Sequence, residues 1–327
     1  MNTHTTTTGL VTLESIREAA ARIRPIARVT PLLDVSRAAG RPLFLKCENL
    51  QPAGAFKIRG AYNMVAQLTP EQRHRGVITY SSGNHGQAMA LAARELGAPA
   101  VVVMPTTAPP IKVEGARSYG AEVIFAGTTS ADRRQRAEAE AAARGLTMVP
   151  PFDHEWIIAG QATIGLEILE QKPDVAAVLA PIGGGGLAAG VAAALKQSRP
   201  SVHVIGVEPD GAAAMKRSIE AGEPITLSKT QTIADGLMPV RPGDLTFAHV
   251  SRFADTVITV DDNSIADAVV WIFTHAKLVA EPSGAATVAA VLSGALDRSL
   301  ERDGPVVAIV SGGNMAPERL RDFMTED

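Results

Sequence analysis

The sequence predicts an α/β protein with two open, mostly parallel sheets flanked by helices, a small domain being inserted in a large one. Three observations predict it. From Gly76 onward short apolar strands alternate with helical segments, a pattern that builds parallel sheets covered by helices on both faces. Polar or glycine-rich runs follow several of these strands, where ligands bind in open parallel sheets. With 327 residues the chain exceeds the size at which one core usually stops growing. Crossings near Gly76 and near residues 152–156 divide it into a large domain, 1–75 with 154–327, and a small, mobile domain, 76–153.

The elements follow in order. Ile16, Ala19, Ala20 and Ile23 recur at helical spacing within residues 12–23, and Pro25 ends that helix. Residues 42–46 read as a strand leading into FLKCENLQPAGAFKIRGAYN. Next come the strand VITY, a helix at about 87–96, the strand AVVVM, a helix at 111–119, AEVIFAG, and a charged helix at 131–144. VAAVLAP, VHVIGVEP, DTVITV and PVVAIVSGGN are buried strand candidates. Residues 175–195 hold 21 consecutive uncharged residues, long enough to imitate a membrane span. Pro181 and the four glycines Gly183, Gly184, Gly185 and Gly186 break it, so it reads as strand, loop and small-residue helix.

Composition narrows the function classes. A formal net charge of −3 gives no electrostatic basis for binding nucleic acid or an acidic membrane surface. The single cysteine, Cys47, excludes an internal disulfide framework and any multi-cysteine metal site. The polar start MNTHTTTTG lacks a basic stretch followed by an apolar core, so no signal peptide is read and a cytoplasmic location is expected.

Lys57 lies between Phe56 and Ile58, after the turn-forming run Pro52-Ala53-Gly54-Ala55. Lost hydration there lowers an amine's pKa and suits it to Schiff-base chemistry; the alternative is a solvated surface lysine opening a helix. Ser81-Ser82-Gly83-Asn84-His85-Gly86-Gln87 follows the strand VITY, and free backbone N–H groups at the helix it precedes can hold a carboxylate. The competing reading is a capping loop, and His85 alone is a weak signal. Gly183 to Gly186 with Leu187 precede another helix and form a backbone nest for phosphate. Gly183-x-Gly185-x-x-Ala188 with Glu208 downstream also fits a dinucleotide fingerprint. That fingerprint belongs at the first strand of its unit, and it leaves Lys57 without a task. Ser311-Gly312-Gly313-Asn314 follows the last strand, where a hydroxyl can face a ring nitrogen; as a bare turn it would only lead into the last helix. Ala234-Asp235-Gly236 says nothing alone.

Taken together, FKIRGA, SSGNHGQA, IAGQ, GGGGLAAG, IADG and SGGN, in this order across residues 12–314, resemble the serine/threonine dehydratase and serine racemase family. That family has the tryptophan-synthase-β fold type (fold type II) and uses pyridoxal 5′-phosphate. The resemblance implies that Lys57 carries the internal aldimine beside Phe56 and that Asn84 bonds the cofactor's 3′-oxygen. It implies that Gly183, Gly184, Gly185, Gly186 and Leu187 hold the phosphate and that Ser311 pairs with the pyridine nitrogen. Ser81, Ser82, Gly83, Asn84 and His85 would receive the substrate carboxylate, and Ser82 stands where the family's racemases keep a second base. The implied reaction is loss of the β-hydroxyl from L-threonine or L-serine, with Lys57 as base and the cofactor phosphate protonating the leaving group. The products are a 2-oxo acid and ammonia, an ammonia-lyase of amino-acid catabolism. Serine racemase, and dehydratases acting on phenylserine, 3-hydroxyaspartate or hydroxyectoine-derived substrates, stay open as alternatives. Phe152, His154 and Trp156 either shape a pocket for a larger β-substituent or pack between domains.

Two departures accompany the resemblance. The racemases' divalent-cation site needs a Glu, a carbonyl and an Asp; Glu208 and Ala212 match but Ala214 replaces the acid, so no metal is predicted. The chain stops shortly after SGGN, so feedback through a C-terminal regulatory domain is not expected. The family favours homodimers or homotetramers.

Overall fold

The structure, a computed structural model, describes residues 9–81, 83–108, 110–297 and 304–325. Among these residues ten strands form two sheets. In chain order they are β1 (Leu32–Asp34), β2 (Leu43–Lys46), β3 (Val77–Tyr80), β4 (Ala100–Met104) and β5 (Glu122–Phe125). Then follow β6 (Thr147–Met148), β7 (Ala177–Pro181), β8 (His203–Pro209), β9 (Thr256–Val260) and β10 (Val306–Ile309). The six-stranded sheet runs β1-β2-β10-β7-β8-β9, with only β1 antiparallel. The four-stranded sheet, β5-β4-β3-β6, is wholly parallel.

Period-2 alternation decides which core each strand residue joins. In the larger sheet Leu179, Ile205, Val207 and Ala308 face one buried cluster with helix Pro282–Leu292. Their neighbours Val178, Ala180, Val204 and Ile309 face the opposite cluster with helices Glu155–Gln171 and Gly186–Ser198. In the smaller sheet Val77, Val102 and Met104 pack toward helix Asn84–Glu95, while Ile78, Val101 and Val103 face the other way, toward Ala137 of helix Ser130–Arg144. Burial on both faces is why these strands read as continuous apolar runs. The uncharged stretch at 175–195 resolves into β7, the glycine loop and most of helix Gly186–Ser198. Among the described residues no helix is long and apolar enough to cross a membrane.

Helix Lys57–Ala66 joins the two sheets. Ile58, Ala61, Met64 and Val65 lie in the same cluster as Ala88 and Met89 of helix Asn84–Glu95. On its other side it crosses helix Glu155–Gln171 at a glycine pair: a Cβ on Gly160 would lie 2.5 Å from Gly60 Cα. Any side chain at that crossing would push the helices apart. Below the crossing lies a buried charge network. Arg59 Nε and Nη2 each donate to Glu48 at 2.8 Å, Arg59 Nη1 donates to Glu167 at 2.6 Å, and Lys46 Nζ donates to Glu167 at 2.6 Å.

Two helices differ from the sequence expectation. Helix Asn84–Glu95 starts three residues before position 87 and so takes in Asn84, His85 and Gly86. Apolar periodicity begins only where the helix meets the core, so it misses a polar first turn. Helix Pro110–Ser118 likewise starts one residue early, at a proline, whose missing N–H is harmless there.

Candidate active site

The site forms where four loops meet, those that follow β2, β3, β7 and β10. The loop before Lys57 is fixed by the run after β10: Phe56 N donates to Ser311 O at 3.0 Å and Gly313 N to Gly54 O at 2.9 Å. This strand-like pairing holds Ala53 in a left-handed conformation, φ 62°, a strained backbone for a residue with a side chain. Lys57 then opens its helix, and its Nζ donates to Pro151 O at 2.6 Å. No carboxylate pairs with this amine among the described residues. Burial without a counter-charge pushes the Lys57 pKa down to about 8. Phe56 stands beside it, its ring centroid 5.1 Å from Nζ.

Residue 151 leads directly to Phe152, whose ring lies against the glycine loop. A Cβ on Gly184 would collide with that ring, and one on Gly186 would lie 3.0 Å from Phe152 Cβ. Asp153 anchors the aromatic by accepting from the N–H groups of Asp244, Leu245 and Thr246 at 3.0–3.1 Å. Thr246 Oγ1 in turn donates to Gly184 O at 2.6 Å. The loop thus has its carbonyl satisfied, while the N–H groups of Gly183, Gly184, Gly185, Gly186 and Leu187 find no acceptor among the described residues. Converging free N–H groups at a helix start are a phosphate cradle.

Asn84 and Ser311 complete the ring. Ser311 is buried, and among the described residues its Oγ makes one long bond, 3.3 Å, to Ser283 O. Asn84 Nδ2 donates to Glu281 Oε1, and Asn84 Oδ1 accepts from Asn314 Nδ2. Glu281 is pushed up to about 7, first by burial and then by the nearby charge of Asp235. His85 does not face outward. Its Nε2 lies 3.0 Å from Val149 O, so Nε2 carries the proton, and buried Nδ1 has no partner among the described residues. Burial, then the charge of Lys57, lowers the His85 pKa to about 3 and keeps the ring neutral. Ser81 is half-buried, and its Oγ accepts from Gly83 N at 3.4 Å. Ser82 lies outside the described residues.

Other sequence expectations resolve as follows. Glu208 is buried and accepts from Met215 N and Lys216 N at 2.8 Å each. Both its oxygens thus close the start of helix Ala214–Ala221, which takes up the acid that the dinucleotide reading needs for a ribose. His154 accepts from Trp156 N, and its ring lies tilted by 60° against that indole with centroids 5.2 Å apart. Trp156 lines a cavity of about 280 Å³ with Leu10, Arg22, Asn63 and Gln67, none of which belongs to the Lys57 site. Three site neighbours had no role in the sequence reading: Glu281, Lys112 and Asp235. Lys112 pairs with Asp235 and lies 4.0 Å from a Cβ built on Gly83. Glu281 did leave a signal, since it is the only charged residue in positions 278–292.

A buried amine without a counter-ion, a nest of free N–H groups and a neutral hydroxyl across from them fit pyridoxal phosphate. The family profile described as pyridoxal-phosphate dependent enzyme matches residues 23–312. The chain belongs to this family. It is 43% identical over 310 residues to L-threonine ammonia-lyase of Thermotoga maritima, covering 94% of this chain and 76% of that protein. It is 42% identical over 308 residues to serine racemase of Oryza sativa subsp. indica, covering 93% and 91%. Among solved structures, maize serine racemase superposes with a TM-score of 0.93 at 41% identity, covering 97% of each chain. The fold is fold type II of the pyridoxal-phosphate enzymes, with two mostly parallel sheets flanked by helices.

Proposed function

We propose that this enzyme converts L-threonine or L-serine to the 2-oxo acid and ammonia by β-elimination. The observation that carries the reading is the buried amine of Lys57, without a counter-charge among the described residues, beside the glycine nest. Bound pyridoxal phosphate supplies the electron sink for the charge left at Cα when its proton departs. Lys57 would hold the cofactor through its Nζ, with Phe56 beside it, and its neutral amine would take the Cα proton. Its lowered pKa keeps a useful share of neutral amine near pH 8. Gly183, Gly184, Gly185, Gly186 and Leu187 would hold the phosphate, Asn84 the 3′-oxygen and Ser311 the ring nitrogen. Ser311 would meet the ring nitrogen as a neutral hydroxyl that brings no charge of its own. Ser81, Ser82, Gly83, Asn84 and His85 surround the substrate carboxylate, His85 through its backbone, because its ring is turned into the protein. A proton and hydroxide leave as water, one water is taken up as ammonia departs, and the amino acid ends as 2-oxo acid.

A second reading, racemisation of serine with Ser82 as base on the opposite face of Cα, is favoured by the similarity to rice and maize serine racemases. We assign the two sheets to two units, 1–75 with 154–327 and 76–153, the smaller moving against the larger. A homodimer or homotetramer is supported by exposed Val29, Leu50 and Val279; Leu50 and Val279 both adjoin Asn49, whose Nδ2 donates to Val279 O. A cytoplasmic location is supported by the single, buried free thiol of Cys47.

The test is release of 2-oxo acid from L-threonine, L-serine, L-threo-phenylserine and threo-3-hydroxyaspartate by the yellow holoenzyme, with Lys57→Ala alongside. Turnover of the first two, absent in Lys57→Ala, supports the reading. Dominant phenylserine turnover, or D-serine from L-serine without oxo acid, overturns it.

A further inference from the structure

Glu281 and Asn314 hold the side chain of Asn84 from both sides. Asn84 Nδ2 donates to Glu281 Oε1 at 2.5 Å, and Asn84 Oδ1 accepts from Asn314 Nδ2 at 2.8 Å. Asn314 Nδ2 also donates to Ala53 O at 2.7 Å. A backbone carbonyl only accepts, so this bond decides which end of the Asn314 amide is nitrogen. That nitrogen then decides where Asn84 places its oxygen, and Glu281 takes one N–H on the opposite end. Glu281 is itself fixed, being 4% exposed with its backbone N–H on Gly312 O at 3.1 Å. The meeting of carboxyl and amide depends on Gly312, where a Cβ would collide with Glu281 Oε1 and lie 3.0 Å from Asn84 Nδ2.

An amide nitrogen has two N–H bonds and its oxygen has none. With one N–H on Glu281 and the oxygen on Asn314, a single N–H of Asn84 is left, and its direction is set by the other two bonds. A flipped amide would oppose nitrogen to nitrogen at Asn314 and oxygen to oxygen at Glu281. Left alone, an Asn side chain has no such preference. We propose that Glu281 and Asn314 are positioning residues that lock the Asn84 amide in one orientation, aiming its free N–H at the 3′-oxygen of the bound cofactor. The proposal rests on the role given to Asn84 above.

The test reads the cofactor and not turnover. Holoenzymes of wild type, Glu281→Ala, Glu281→Gln, Asn314→Ala, Asn84→Ala and the Asn84→Ala/Glu281→Ala double variant are compared by visible spectrum and cofactor dissociation constant. Borohydride reduction onto Lys57 verifies loading. Glu281→Ala should weaken cofactor binding about 3- to 10-fold, the worth of one hydrogen bond, and shift absorbance to shorter wavelength. Glu281→Gln keeps an acceptor oxygen and should retain the wild-type spectrum. In the Asn84→Ala background Glu281→Ala should change neither quantity further. An additive effect there, or equal losses for Ala and Gln, overturns the proposal. If Glu281→Ala does not fold, Asn314→Ala carries the same prediction, and a wild-type spectrum and affinity in it overturn the lock. Wild-type protein that takes up no pyridoxal phosphate instead overturns the cofactor assignment, so the two failures are distinct.

Discussion

Replacing Arg59 by methionine keeps most of the side chain's volume and removes a fully buried charge. The guanidinium donates to both oxygens of Glu48 at 2.8 Å, to both oxygens of Glu167 at 2.6 and 2.9 Å, and to Thr163 Oγ1 at 3.0 Å. Glu167 would keep Lys46 at 2.6 Å. Glu48 would keep only the Thr30 hydroxyl at 2.6 Å and a long bond of 3.3 Å from Gln51 Nε2. Leaving one partner of a buried pair uncompensated costs about 3–5 kcal/mol. With Glu48 orphaned and Glu167 still paired, the expected loss is about 4 kcal/mol, a large share of a typical domain's ~5–15 kcal/mol. The assay is urea unfolding followed by tryptophan fluorescence at several pH values. In the wild type, burial pushes the Glu48 carboxyl up, but the charge and hydrogen bonds of Arg59, then Lys46, hold it below its ordinary 4.5. That stabilisation is present above the unfolded pKa and fades only as pH falls through the lower folded one. In Arg59→Met burial prevails and the Glu48 pKa rises above the unfolded value, so protonation relieves the penalty as pH falls. The gap between variant and wild type should therefore narrow from pH 7 to pH 5. A loss under about 1 kcal/mol, the worth of one ordinary hydrogen bond, or a gap that ignores pH, refutes the reasoning.

Three further outcomes follow from the site. The rate at which apoenzyme takes up pyridoxal phosphate should rise with pH through about 8, the Lys57 value, because only the neutral amine attacks; a midpoint near the ordinary 10.5 would show a solvated amine. Gly184→Ala drives a methyl into the Phe152 ring, and overpacking of about 1–3 kcal/mol should weaken cofactor binding roughly tenfold. Phe152→Ala in the same chain should restore part of it, and a Gly184→Ala enzyme with wild-type affinity would count against the cradle. Asp235→Asn frees Lys112 beside Gly83; an exposed pair is worth about 0–1 kcal/mol, so KM for the amino acid should move up to about fivefold with little change in kcat. An equal fall in kcat would place Asp235 in the chemistry itself.

The sequence by itself determined most of the elements and pointed to most of the candidate site's residues, because both leave local patterns. Period-2 runs mark strands whatever their neighbours, and Lys57, the loop from Ser81, the four glycines and Ser311 each follow a strand where ligands gather. Tertiary structure alone decided which groups meet. Asn84 and Glu281 are 197 residues apart, Lys112 and Asp235 are 123 apart, and Arg59 and Glu167 are 108 apart. The insertion of β10 between β2 and β7 brings Ser311 and Asn314 to the Lys57 loop, and no local periodicity encodes that order. The same holds for His85, a weak signal in the sequence, whose ring direction is set by burial against Val149. Hydrogen bonding and desolvation depend on what surrounds a group in space, and for these residues the surroundings come from remote parts of the chain.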